Sequence, residues 1–128
     1  MSRCVKVLVA DDEAIIQDVI EDILTNEGGA EVVGASTCEE ALQWARDQAF
    51  DVVFVDVCLG DGDGVQLVRC IKEASPETRI CMITGYRVED QIADALAAGA
   101  SGAIHKPFTV KELLATFSRL STPANSVP

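Results

Sequence analysis

Residues 5–10, Val-Lys-Val-Leu-Val-Ala, form an apolar, β-branched run, and Ile15, Ile16, Val19, Ile20, Ile23 and Leu24 then recur at helical spacing as far as Gly28-Gly29. That stretch reads as one strand followed by one helix. The same alternation repeats along the chain. Residues 31–36 (EVVGAS) predict a second strand, and Thr37-Cys38-Glu39-Glu40 is a capping box opening a helix that turns Ala41, Leu42 and Ala45 inward. Residues 52–55 (VVFV) give a third strand and Val65, Val68 and Ile71 a third helix. Residues 79–83 (RICMI) and Ile92, Ala95 and Leu96, ending near Gly99, give the fourth pair. The fifth pair is residues 101–105 with a helix opened by a second capping box, Thr109-Val110-Lys111-Glu112, and striped by Val110, Leu113, Leu114, Phe117 and Leu120.

Strands this uniformly apolar, each separated from the next by a helix, predict a parallel sheet covered on both faces, because every parallel connection needs a crossover. The fold class is α/β, a doubly wound five-stranded sheet with five helices. In such sheets the site lies beyond the carboxyl ends of the strands, so the search for chemistry narrows to five loops. A length of 128 residues is that of one domain. The tail Ser121-Thr122-Pro123-Ala124-Asn125-Ser126-Val127-Pro128 has no periodicity, and residues 122–128 are read as a frayed end or the start of a linker. The Met1 start argues for an N-terminal or stand-alone domain.

Composition excludes several classes. Ten basic against 21 acidic residues give a net charge of −11, which argues against direct contact with nucleic acid or anionic membranes. No apolar run is long enough to span a bilayer and no signal-peptide pattern opens the chain, so the expected compartment is the cytoplasm. Cys4, Cys38, Cys58, Cys70 and Cys81 form no C-x-x-C pair and read as reduced small hydrophobes. Trp44, Phe50, Phe54 and Phe117 fall on core-facing patterns and suggest no cofactor stack. Aligning Asp61 and Asp63 with a calcium loop puts Leu59 and Cys70 at its first and last ligands, so that reading fails on spacing.

The first strand ends in Asp11-Asp12-Glu13 and the third in Asp56. Neighbouring parallel strands would gather Asp11, Asp12 and Asp56 at one rim, where carboxylates repel and raise one another's pKa unless a cation neutralises them. Oxygen ligands at a partly solvated rim suit Mg²⁺. The plainer alternative is that Asp11 or Asp12 caps the first helix. The fourth strand ends in Thr84-Gly85 and the fifth in His105-Lys106-Pro107-Phe108, adding a hydroxyl and a cation at the same rim. Alternation turns His105 away from it. A carboxylate can act as a nucleophile toward phosphorus while a metal and an ammonium group neutralise the transferring oxygens.

In VLVADDE, VVFVDVCLGDGDGVQL, ITG and HKPF the chain resembles the receiver domains of two-component response regulators, across residues 4 to about 120. The resemblance implies a flavodoxin-like strand order of 2-1-3-4-5 and a receiver over residues 1–121. It implies Asp56 as phosphoacceptor, Asp12 as a direct magnesium ligand, Asp11 as a ligand through water, and the Cys58 backbone carbonyl as another ligand. Thr84 and Lys106 would bind the phosphoryl oxygens. The donor would be a phosphohistidine on a sensor histidine kinase or phosphotransfer domain, and the readout a downstream protein or output domain. Two departures stand out. Ala103 occupies the place, three residues before the lysine, where receivers typically carry a switching aromatic residue; this points to another signalling route or a mainly relaying role. Gly60-Asp61-Gly62-Asp63-Gly64 replaces the usual proline-bearing loop. Tyr86, two residues after Thr84, is a candidate shield of the acyl phosphate, with a half-exposed loop tyrosine as the alternative. Two other functions use the same sheet. A mononucleotide binder would need a Gly- or Ser/Thr-rich phosphate loop where this chain has Asp-Asp-Glu, and a phosphate-independent interaction module is favoured only by Ala103.

Overall fold

The computed structural model of the chain describes residues 4–57, 59, 63–85 and 89–121, with 89–92 described in backbone only. Strands and helices alternate: β1 (Lys6–Ala10), α1 (Ala14–Asn26), β2 (Glu31–Ala35), α2 (Cys38–Asp47), β3 (Val52–Asp56), α3 (Gly64–Ala74), β4 (Arg79–Thr84), α4 (Glu89–Ala98), β5 (Gly102–His105) and α5 (Val110–Ser121). The sheet has the order β2-β1-β3-β4-β5, and every neighbouring pair is parallel. The expected class, order and element count are all present, with strand ends displaced by one residue.

The side-chain alternation of the strands sorts the core into two layers. Leu8, Val53, Val55, Ile80 and Met82 face a cluster that includes Ala41 of α2, Val65, Val68 and Ile71 of α3 and Ala95 of α4. Val7, Val9, Val52, Phe54, Cys81 and Ile83 face Ile20 and Leu24 of α1 and Leu113, Phe117 and Leu120 of α5. Successive residues therefore bury against opposite helical layers, which is why the strands read as unbroken apolar runs. Phe50, Phe54 and Phe117 are buried and Trp44 is half-buried against the first layer.

Several details differ from the sequence expectation. Leu96 of α4 and Val110 at the start of α5, both expected on apolar stripes, are exposed, because each sits at the margin of its helix's packed face. In α1 the row Ile16, Ile20 and Leu24 packs inward, whereas Ile15 is 76% and Val19 39% exposed. Among the described cysteines only Cys81 is buried; Cys38 and Cys70 are half-buried and Cys4 is exposed, and Cys58 lies outside the described residues.

Both capping boxes form. Thr37 Oγ1 accepts from Glu40 N at 3.1 Å, and the Glu40 carboxylate accepts from Ser36 N at 2.6 Å, one residue before the cap. Thr109 and Glu112 exchange both bonds at 3.0 Å. A third cap was not expected: Asp63 of the glycine-rich loop accepts from Val65 N at 2.9 Å and starts α3.

Candidate functional site

Register brings the acids together. Ala10 pairs with Val55 and Asp56 with Ile83, so the residues that follow β1 and end β3 emerge side by side at the carboxyl edge. The backbone ladder runs on past the strands: Asp11 N donates to Ala35 O at 3.0 Å, Val57 N to Ile83 O at 3.0 Å and Lys106 N to Thr84 O at 2.7 Å. Each functional position is thereby fixed by main-chain bonds to a neighbouring strand, a rigid platform for charged groups. The Lys106–Pro107 peptide is cis.

Gly64 closes the site from the α3 side. A Cβ there would lie 2.6 Å from Asp56 O and 2.9 Å from Val57 O, so only glycine lets the start of α3 sit on the end of β3. On the other side, Gln17 of α1 donates to the carbonyls of Asp11 and Ala35 and to Ser36 Oγ, tying α1 to the ends of β1 and β2. Its carbonyl end occupies the space a Cβ would need at Gly34.

Asp11, Asp12, Glu13 and Asp56 each place a carboxylate oxygen within 4.8 Å of the others. Asp11 is fully buried and Asp56 is 6% exposed, while Asp12 and Glu13 face solvent. Lys106 is the cation among them: its Nζ stands 2.7 Å from Glu13 Oε1, 3.0 Å from Asp11 Oδ2 and 3.5 Å from Asp56 Oδ2. Asp11 Oδ1 accepts from Glu13 N at 2.8 Å, but Asp11 Oδ2, though close to the ammonium, lacks the alignment of a hydrogen bond. Burial pushes the Asp11 carboxyl above the usual carboxylate range; the bond from Glu13 N and the Lys106 ammonium oppose this, and the Asp56 charge adds to it. Burial also works against the charge on Lys106, but the Glu13 and Asp11 carboxylates outweigh it and hold the ammonium above its ordinary pKa.

The predicted residues are thus largely assembled. Asp11, Asp12, Asp56 and Lys106 meet at one point. Thr84 ends β4 one residue beyond the register partner of Asp56 and is buried. Cys58 and Tyr86, along with Gly60, Asp61 and Gly62, lie outside the described residues. The helix-cap alternative holds in part: the N-cap of α1 is Glu13, whose side chain makes no cap bond, but Asp11 Oδ1 accepts from the Glu13 N–H at the start of that helix. Glu13 is the site residue not singled out from sequence, where it was one more acid in a run; Gln17 and Gly64 carried no local signal beyond their place beside the acidic loop.

Among the described residues one ammonium does not balance four carboxylates, and it meets the buried Asp11 Oδ2 without hydrogen-bond alignment, which is costly unless something else neutralises that oxygen. The donor set is all oxygen and at the rim of the sheet, which fits a hard divalent cation such as Mg²⁺ or Ca²⁺.

A family model of the response regulator receiver domain matches residues 7–118. The chain is a response regulator receiver domain. The receiver is 34% identical over 110 residues to the DNA-binding transcriptional activator DevR/DosR of Mycobacterium tuberculosis, with 85% of this chain and 51% of that protein covered. It superimposes on the receiver domain of NtrX from Brucella abortus with a TM-score of 0.85 and 35% identity, covering 90% of this chain and 97% of that one. A response regulator protein from Burkholderia pseudomallei with a phosphorylated aspartic acid, a calcium ion and citrate gives a TM-score of 0.81 and 30% identity, covering 87% and 65% of the two chains. The receiver spans 27% to 51% of the length of several curated response regulators that it matches. Membership places it among the signalling domains of two-component systems, which are phosphorylated on an aspartate and bind a divalent metal at an acidic pocket; this chain carries an acidic cluster at the carboxyl edge of its sheet. Among the described residues no helix is long and apolar enough to cross a membrane.

Proposed function

We propose that Asp56 is the phosphoacceptor of this receiver and that its phosphorylation depends on Mg²⁺. The observation that carries the reading is the proximity of a nearly buried Asp56 to both the Asp11-Asp12 carboxylates and the Lys106 ammonium. A carboxylate oxygen of Asp56 attacks phosphorus as the bond to the donor nitrogen breaks, and the leaving imidazole of the donor histidine takes up a proton. Asp11, Asp12, Asp56 and the Cys58 backbone carbonyl would hold the ion, which when bound supplies positive charge to the phosphoryl oxygens. Lys106, kept protonated by its carboxylate neighbours, supplies a second positive group. Thr84, at the end of β4, supplies a hydroxyl donor to a phosphoryl oxygen. Burial of Asp56 and Asp11 restricts water, so that the charges act through a less polar medium.

The donor is a sensor histidine kinase or a histidine phosphotransfer domain, and the acyl phosphate biases two states of a surface read by a downstream protein or output domain. The receiver promotes only its own phosphorylation and dephosphorylation, and works in the cytoplasm. Residues 1–121 form the receiver and 122–128 a tail or the start of a linker. DNA binding, which the name of the mycobacterial relative states for that protein, is not assigned to this segment, because a net charge of −11 is repelled by nucleic-acid phosphates.

Intact mass after incubation with acetyl phosphate, with and without Mg²⁺, tests the proposal on the wild type and Asp56→Asn. A magnesium-dependent gain of one phosphoryl group, absent from the variant, is expected. No gain in a folded wild type would refute it in favour of a phosphate-independent interaction module.

A further inference from the structure

Glu13 is held in an arrangement that neither helix capping nor the proposed ion site explains. It occupies the N-cap position of α1 with extended backbone (φ −93°, ψ 108°), yet its side chain makes no bond to the exposed amides of the first turn. Instead the carboxylate reaches across to β5's end and takes the shortest of the three contacts of Lys106, 2.7 Å against 3.5 Å to Asp56. The backbone N–H of Glu13 meanwhile anchors Asp11 Oδ1 at 2.8 Å, so main chain and side chain are set together. Lys106 has three donors and three carboxylate neighbours. Of the three, only the contacts to Glu13 and Asp56 are aligned as hydrogen bonds; an ammonium that moves onto a phosphoryl oxygen of Asp56 turns away from Glu13, the hydrogen-bonded carboxylate outside the proposed set of metal ligands.

Resting on the phosphoacceptor reading above, we propose that Glu13 is a positioning residue that holds Lys106 on the α1 side of the site and competes with the phosphoryl group for its ammonium. Glu13 then favours the unphosphorylated state, and the Glu13–Lys106 pair opens as Asp56 is phosphorylated. The pair is coupled to α1 by residue 13 itself, the first residue of that helix's cap, so its opening is felt at the start of α1.

Beryllofluoride, a non-covalent mimic of the aspartyl phosphate, tests this by calorimetry at saturating Mg²⁺. A half-exposed ion pair is of modest strength, so Glu13→Gln is expected to bind beryllofluoride about two- to fivefold more tightly than wild type, with Mg²⁺ affinity changed by less. In a Lys106→Met background the gain from Glu13→Gln should vanish, since the two residues act through one contact. Persistence of the full gain in that background would mean plain charge repulsion and would overturn the proposal. So would unchanged beryllofluoride binding, or a large loss of Mg²⁺ affinity with beryllofluoride binding unimproved, which would make Glu13 a metal ligand. Failure of the wild type itself to bind beryllofluoride would instead bring down the phosphoacceptor reading and the inference with it.

Discussion

Replacing Asp11 by asparagine should stabilise the metal-free domain. The carboxylate is fully buried, and its attraction to Lys106 at 3.0 Å is about 5 kcal/mol at an effective dielectric of ~20. Against this stands Asp56, a carboxylate no more than 4.8 Å away, whose repulsion on the same scale is at least about 3 kcal/mol. Asp12 and Glu13, exposed to water, add about 1 kcal/mol each. The Coulomb contributions nearly cancel, which leaves the desolvation of the buried Asp11 carboxylate, whose Oδ2 meets Lys106 without hydrogen-bond alignment; an imperfectly satisfied buried group costs about 1–3 kcal/mol. Asparagine keeps the acceptor for Glu13 N and sheds the charge. Thermal unfolding in EDTA, followed by far-ultraviolet circular dichroism, should show a midpoint about 3 to 8 °C higher for Asp11→Asn. The pH dependence has a definite sign. The Asp11 carboxyl is raised above its ordinary 3.8, chiefly by burial, so the folded state keeps a proton that the unfolded chain has released. Its contribution to stability is full below the ordinary carboxylate range and is lost as pH rises through the raised pKa of the folded protein. The gain from Asp11→Asn should therefore be small in acid and full at neutral pH. Added Mg²⁺ should raise the wild-type midpoint and not that of the variant. A variant less stable than wild type by more than about 1 kcal/mol in EDTA at neutral pH would show that the Lys106 attraction dominates, and that the cluster does not call for a cation.

Other perturbations read other parts of the fold. Gly64→Ala forces a methyl against Asp56 O and Val57 O and should cost about 1–3 kcal/mol in urea unfolding; a change under about 0.5 kcal/mol would show that the start of α3 can retreat from β3. Thr37→Ala removes the acceptor for Glu40 N and should cost about 0.5–2 kcal/mol by the same assay. Cys81 is fully buried, and burial pushes its thiol up to about 12, so peptide mapping after maleimide treatment of the native protein should find Cys81 unmodified and the exposed Cys4 modified. Labelling of Cys81 as fast as Cys4 would reveal opening of the β4 core.

The layering was legible because each strand carries two apolar rows, and a parallel sheet buried on both faces leaves no other arrangement for them. Asp56 and Lys106 were legible for a related reason: strand ends in a parallel sheet converge on one edge, so chemistry distributed over four loops can be read as one site. What could not be read is which atom meets which. The acids of the first loop look alike in sequence, yet Asp11 is buried and takes a backbone bond, whereas Glu13 turns out and pairs with Lys106. In α1 the apolar stripe is two parallel rows wide, and spacing alone does not say which row docks; Ile16, Ile20 and Leu24 do, and Ile15 and Val19 do not. Asp63 looked like one residue of an acidic, flexible loop because its capping bond needs the helix start at Gly64, and apolar spacing locates that start only approximately.

Ala103 bears on how a charge placed on Asp56 reaches the surface. It pairs with Met82 in the register of β4 and β5 and packs half-buried on the layer formed with α3 and α4. A methyl group has no rotamer to exchange, so a signal along β5 has no side chain to move at that place. Among the described residues, several contacts leave the site by other routes. Lys106 and Glu13 join it to the cap of α1, Gln17 joins the main chain of Asp11 to the turn before α2, and the start of α3 rests on the carbonyl of Asp56 itself. Among the described residues the starts of α1 and α3 lie directly against the acidic cluster, so a redistribution of charge there is expected to act on those first turns without an intermediary on β5.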